Sequence, residues 1–193
     1  TGMICHQFKG GIGTSSREVR INNTTYTLGV LVQANYGLRE SLTIAGVSVG
    51  KEISDRQILW DPLTRQEERG SIIVIVATDA PLLPHQLKRL ARRVPIGISR
   101  LGGYGGNSSG DIFIAFSTAN SGAANRENEQ QVKMIPNDKI SALFEATAQA
   151  TEESILNALV AAETMVGKNN TTVYELPVDN VITILKKYGR INP

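Results

Sequence analysis

The chain has 193 residues, 41% hydrophobic and 20% charged, a length and balance that suit one compact domain with its own core. Its 20 basic and 18 acidic residues leave a net charge of +2, too even for a broad nucleic-acid footprint, and no apolar run approaches the roughly 20 residues of a membrane span. One cysteine excludes a disulfide framework, so the expectation is a soluble globular chain with no nucleic acid and no membrane among its partners.

In chain order, residues 3–9, MICHQFK, read as a strand running into a turn, GGIG. TYTLGVLVQANY (25–36) is β-branched and apolar enough for a buried strand, and SLTIAGVSVG (41–50) reads as its hairpin partner. The stretch 54–70 has no clean period and reads as a loop. SIIVIVATDA (71–80) is the strongest strand pattern, a continuous apolar run expected to be buried on both faces.

The period then changes. Pro84 suits a first helical turn, and Leu87, Leu90, Ala91 and Val94 share a stripe, so 84–94 is expected to dock as one amphipathic helix with KRLARR (88–93) as its solvated face. GGYGGNSSG (102–110) reads as a loop, DIFIAFSTAN (111–120) as a buried strand, and 121–135 as exposed polar chain. From Asp138, read as a cap, a helical pattern continues to residue 168, with a break near Thr151, where Thr151, Glu152 and Glu153 suit a helix start. Pro177 opens a last helix and Gly189 stops it. This order favours a layered α/β arrangement over a parallel Rossmann winding, with 1–193 as a single domain.

Two histidines, His6 and His85, and one cysteine make no clustered ligand set, so no metal is expected. There is no G-x-S-x-G elbow and no GxxxxGK[ST] loop. KGGIGTSSR has the look of a phosphate loop but lacks the lysine after its last glycine, and no cofactor is expected. Attention falls on Thr1. As the first residue of a processed polypeptide it carries a hydroxyl and a free α-amine, and that amine, with an ordinary pKa near 8, can serve as the hydroxyl's own base. The plain alternative is a chain end without chemical meaning.

The blocks TGMICHQFKGGIGTSSR, LVQANYG, LTIAGVSVG, APLLPHQLKRLARR, SGDIFIAFSTAN and ILNALVAAETM together resemble the DmpA-type aminopeptidases, the L-aminopeptidase and D-amidase/esterase family that includes the β-peptidyl aminopeptidases. The resemblance implies a precursor that cuts itself before Thr1, leaving this chain as a β-subunit whose partner is an α-subunit from the same precursor, several such pairs forming an (αβ)4 assembly. It implies a four-layer α/β/β/α sandwich, completed by the α-subunit and shared with the ornithine acetyltransferases. The activity implied is hydrolysis of N-terminal residues from short peptides, amides or esters through an acyl-enzyme on Thr1, with β-amino or D-amino acyl groups among the candidates. An acetyl-transferring relative and a non-catalytic subunit stand as the alternatives. Any targeting segment would lie on the α-subunit, which leaves cytoplasmic and periplasmic locations open.

In that family a Ser-x-Glu pair follows an Asn-aromatic-Gly stretch and contacts the nucleophile. This sequence reads Asn35, Tyr36, Gly37, Leu38, Arg39, Glu40, Ser41, so Glu40 matches the acidic position while Leu38 stands in place of the serine, with Ser41 as a shifted hydroxyl. The resemblance thus makes Thr1 and Glu40 the catalytic candidates, with Asn35, Leu38 and Ser41 supporting the site and the Gly10 and Gly11 backbone amides as candidate oxyanion donors. Cys5 reads as a small core residue, Asp111 as a turn cap or a site wall, and Trp60 as a pocket wall or a subunit contact.

Overall fold

A computed structural model describes residues 2–59 and 70–192; Thr1, Trp60 and the stretch 60–69 of the expected loop lie outside the described residues. Strands β1 (Ile4–Cys5) and β2 (Phe8–Lys9) make a short hairpin, and β3 (Gly11–Ile21), β4 (Thr24–Asn35), β5 (Ser71–Thr78) and β6 (Ile112–Ser117) form the main sheet in that order. β3 and β4 pair antiparallel from Gly11↔Ala34 to Ile21↔Thr24, across a tight turn in which Asn22 takes a left-handed φ of 54°. β4 and β5 are antiparallel and β5 and β6 parallel. A parallel pair needs a crossover, here α2 (Pro84–Ala91) and α3 (Val94–Arg100). The long α4 (Ser141–Val160) lies on β3 and β4 with α3 against it. Two short elements, β7 (Met165–Val166) and β8 (Thr172–Val173), pair with each other, and α1 (Val49–Glu52) packs against α5 (Val178–Lys187).

The glycines after Lys9 make no turn. They open the edge strand β3, and their small size is used for close approach: a Cβ on Gly13 would meet Ser154 O at 1.9 Å and Ala158 N at 2.6 Å on α4, and one on Gly10 would meet Ala34 O at 2.4 Å. Consequently the strand 25–36 pairs with 11–21 and 71–78, and not with 41–50, which holds a 3-10 turn at Arg39–Ser41, an isolated Ile44↔Val47 bridge and the start of α1. The expected helix over 84–94 is two. Pro95 has no N–H to continue the ladder of α2, so the chain restarts as α3, and Pro84 sits in the first turn of α2 as expected. Of the basic run on α2, Arg89 and Arg93 lie over the Phe144 ring, at 5.1 and 4.0 Å from its centre.

α4 is unbroken at Thr151. The Thr151 hydroxyl donates to Thr147 O at 2.7 Å and Thr147 to Leu143 O at 2.7 Å, so both are satisfied inside a buried helix instead of capping a new one. α4 starts after Ile140, with Asp138 in a preceding 3-10 turn and not at the cap, and it ends at Ala161. α5 follows Pro177, and Gly189, at φ 63°, donates its N–H to Lys186 O and closes it.

One face of the sheet is core: Leu28, Val30, Val32 and Ala34 of β4 and Ile72, Val74 and Val76 of β5 are buried beneath the helices. On the opposite face, side chains from β6 remain half-exposed, with Ile112 at 52%, Ile114 at 50% and Phe116 at 45%. β5, expected to be buried on both faces, and β6, expected to be a buried strand, are therefore covered on one face among the described residues. A contiguous apolar stripe of this kind, joined across the ladder to Ile73, Ile75 and Leu31, is the mark of a surface built to be covered.

Candidate active site

The β1–β2 hairpin carries the residues that follow Thr1. It is short, with Ile4 opposite Lys9 and Cys5 opposite Phe8, and Gly10 N–H donates to Met3 O at 2.9 Å. Its tip, His6 and Gln7, is left-handed at both positions, φ 48° and 58°. Running beside it is the segment after β4. Asn35 Oδ1 accepts the Ile4 N–H at 2.9 Å, Tyr36 O accepts the His6 N–H at 2.7 Å, and Leu38 O accepts His6 Nδ1–H at 3.0 Å. Arg39 finishes the seam: its backbone N–H meets Gln7 Oε1 at 3.3 Å and its Nη2 donates to Gln7 O at 2.9 Å.

Arg39 is buried at 4% exposure and lies over the Phe8 ring, 3.9 Å from its centre. It also donates to Asp55 O and Arg56 O, each at 2.7 Å, and so ties the hairpin tip to the chain at 53–57. Burial lowers its pKa from the ordinary value, opposed by Asp55, but a guanidinium stays charged. Between these parts is a cleft of about 500 Å³ lined by Gln7, Leu38, Arg39, Glu40, Gly50, Lys51, Ile53, Ser54 and Gln57, within the size range of small-molecule sites.

The sequence-predicted residues fall into two groups. Leu38 and Glu40 line the cleft; Glu40 is exposed, and its carboxylate has no partner among the described residues. Ser41 Oγ donates to Leu38 O at 2.7 Å, bonding back across the 3-10 turn. Asn35, Gly10 and Gly11 lie instead along the hairpin and the start of β3: Asn35 holds Ile4, the Gly10 amide is taken by Met3 O, and Gly11 faces Ala34 in the ladder. Asp111 ties strands together, its Oδ1 accepting the Ile72 N–H at 3.0 Å.

Sequence reasoning passed over four residues of this seam. His6, Gln7 and Arg39 are embedded in it, and Lys9, nearly buried, donates from Nζ to Gly10 O at 2.6 Å. Burial lowers the Lys9 pKa. The available signal was Arg39 itself, a charged residue in a short segment between a buried strand and a turn, but no period marks such a residue as buried. Burial pushes the Cys5 thiol up to about 12, against a smaller opposing hydrogen bond to Tyr36, so it is an inert core residue. Among the described residues there is no group of three or more His, Cys, Asp or Glu able to hold a metal ion.

The model of peptidase family S58 matches residues 1–173. The chain is 49% identical over 98% of its length to the β-peptidyl aminopeptidase BapA of Sphingosinicella microcystinivorans, and 44% identical over 96% to that of Sphingosinicella xenopeptidilytica. It spans about half of these relatives, 50% and 48% of their lengths. Among solved structures it superposes on a Pyrococcus horikoshii protein with a TM-score of 0.88 at 47% identity, covering 99% of this chain and 51% of that one. The L-aminopeptidase D-Ala-esterase/amidase of Ochrobactrum anthropi, described as a variant of the N-terminal-nucleophile hydrolase fold, gives a TM-score of 0.87 at 44% identity, covering 100% and 52%. A β-aminopeptidase of a Burkholderia species gives 0.83 at 45%, covering 100% and 53%. The expected α/β fold is thus of the N-terminal-nucleophile hydrolase kind, and with a family match across most of its residues this chain belongs to peptidase family S58.

Proposed function

We propose that this chain is the nucleophile-bearing half of an aminopeptidase or amidase that removes N-terminal residues, β-amino or D-amino acyl groups included, from short peptides, amides or esters. The observation that carries the proposal is identity of 44 to 49%, over nearly all of this chain, with proteins named β-peptidyl aminopeptidases. Cleavage of a precursor before Thr1 frees its α-amine. The Thr1 hydroxyl then adds to the substrate carbonyl while the amine accepts its proton and passes it to the leaving amine. An ester on Thr1 remains, and water hydrolyses it by the reverse proton path. Glu40, with no partner among the described residues, supplies the carboxylate that orients the amine from the cleft side. The hydrogen bonds of Asn35 and Ser41 hold the seam between them and Leu38 fills the serine's place with an apolar wall; the Gly10 amide is taken by Met3 O and Gly11 is paired with Ala34 in the β3–β4 ladder, so the oxyanion donors come from the other half of the precursor.

The other half of the precursor is the partner. Its sheet covers the open face carrying Ile73, Ile75, Ile112, Ile114 and Phe116, which makes the four layers, and such pairs assemble as (αβ)4. Expression of the full precursor tests the whole reading. Two chains, one beginning at Thr1 by intact mass, are expected, with release of anilide from a β-alanyl or D-alanyl anilide and no acetyl transfer from N-acetylornithine. Thr1→Ala should abolish cleavage and activity together. Continued processing in that variant would reject the nucleophile, and acetyl transfer in the wild type would reject the hydrolase in favour of a transferase.

A further inference from the structure

His6 is buried beside the candidate nucleophile strand, and the chemistry above does not use it. It occupies, with Gln7, the two-residue tip of the β1–β2 hairpin at φ 48°, a left-handed region that glycine and asparagine fill most often and that histidine tolerates better than most residues. The turn therefore admits a histidine; its contacts give it more to do. The backbone N–H donates to Tyr36 O and the imidazole to Leu38 O. A carbonyl only accepts, so the ring proton is on Nδ1, and Nε2 is a bare lone pair, buried without a partner among the described residues. The ring also has a fitted seat: a Cβ on Gly37, itself at φ 88°, would come within 2.7 Å of the imidazole. Burial pushes the His6 pKa down to about 4, against the opposing bond to Leu38, so the ring is neutral near pH 7.

Two residue pairs hold β1 to β2, too few to fix the direction of a strand by themselves. Sideways hold comes from the end of β4 and the segment after it, through Asn35 on Ile4, Tyr36 and Leu38 on His6, and Arg39 on Gln7. We infer that His6 is a positioning residue: its Nδ1–H bond to Leu38 O locks the strand leading from Thr1 against the segment that carries Glu40. This rests on the reading of Thr1 as the nucleophile. Misplacement of a reacting group by about 1 Å is enough to cost on the order of 100-fold in rate.

The test uses the processed two-chain enzyme and a β-alanyl anilide. Counted along the side chain, the amide nitrogen of asparagine stands in for Nδ1 and that of glutamine for Nε2. His6→Asn is expected to keep kcat within about fivefold of wild type, whereas His6→Gln and His6→Ala lose roughly 100-fold in kcat with KM changed by less than about threefold. Equal kcat for His6→Asn and His6→Gln, or kcat losses that simply follow the fall in Tm across the three variants, would overturn the inference. A measurement on the wild type needs no variant: ¹⁵N NMR of histidine-labelled enzyme should find His6 protonated at Nδ1, and protonation at Nε2 alone would also overturn it. Thr1→Ala distinguishes the two layers of argument. An active Thr1→Ala defeats the nucleophile reading; an inactive Thr1→Ala alongside wild-type kcat in His6→Gln defeats the role of His6 alone.

Discussion

Replacing Arg39 by lysine keeps its charge and removes its fork. The guanidinium reaches Asp55 O through Nη1 at 2.7 Å, and Gln7 O at 2.9 Å and Arg56 O at 2.7 Å through Nη2, while stacking 3.9 Å from the centre of the Phe8 ring. An ammonium is a single donor point and cannot serve carbonyls on both sides of the seam, so at least one buried carbonyl loses its partner. A hydrogen bond to a charged group contributes about 1.5–3 kcal/mol, and a stacked cation adds about 0.5–1 kcal/mol, which puts the loss at about 2–4 kcal/mol. For a domain of this size each kcal/mol moves Tm by about 2–4 °C, so Arg39→Lys should melt about 5–15 °C below wild type. Leu38 and Glu40 are on one side of the cleft and Ile53, Ser54 and Gln57 on the other, so KM should rise as the tie between them slackens. Calorimetry on the processed enzyme reads the first effect and limited proteolysis near 54–57 the second. A Tm within about 2 °C of wild type, with no new cleavage there, would refute the account of Arg39 as the fastener of the seam.

Two further predictions address packing and pH. Gly13→Ala places a Cβ 1.9 Å from Ser154 O, a backbone atom that cannot swing away, and should cost about 1–3 kcal/mol or more in denaturant unfolding; Gly11→Ala, whose Cβ meets only Ala158 O at 3.9 Å, should be close to neutral, and equal losses in the two would undo the close-approach argument. The folded pKa of His6, about 4, is below its ordinary 6.5, so the unfolded chain binds the extra proton between those values. That contribution to stability is complete above pH 6.5 and is lost as pH falls to about 4, roughly 3 kcal/mol in all, and His6→Asn should flatten the stability profile in that window. An unchanged slope in the variant would show that the titrating group is another.

Much of the fold was legible because burial leaves a period. The apolar run of β5, the β-branched and apolar content of β4, the first turn of α2 at Pro84 and the stop of α5 at Gly189 all follow from local sequence, and each is an element of the structure within a few residues of its expected place. The resemblance of the sequence blocks to a known family agrees with the family match across residues 1–173.

What the sequence by itself determined, then, is which segments are extended or helical and which family chemistry to look for, since propensity, punctuation and motif are local properties. Tertiary structure decided the rest. Gly11 and Gly13 look like a turn until α4 is seen to cross within backbone contact of Gly13; residues 84–94 read as one helix until α2 is found to end at Ala91 and α3 to start at Val94, before Pro95; Thr151 looks like a cap until its hydroxyl is found bonded back to Thr147 O. The seam of His6, Gln7, Arg39 and the carbonyls it uses joins positions from 16 residues apart, as Arg39 and Asp55, to 32 apart, as His6 and Leu38. No local pattern encodes which carbonyl a buried cation or imidazole will reach, because that choice is made only when the hairpin and the segment after β4 are brought side by side.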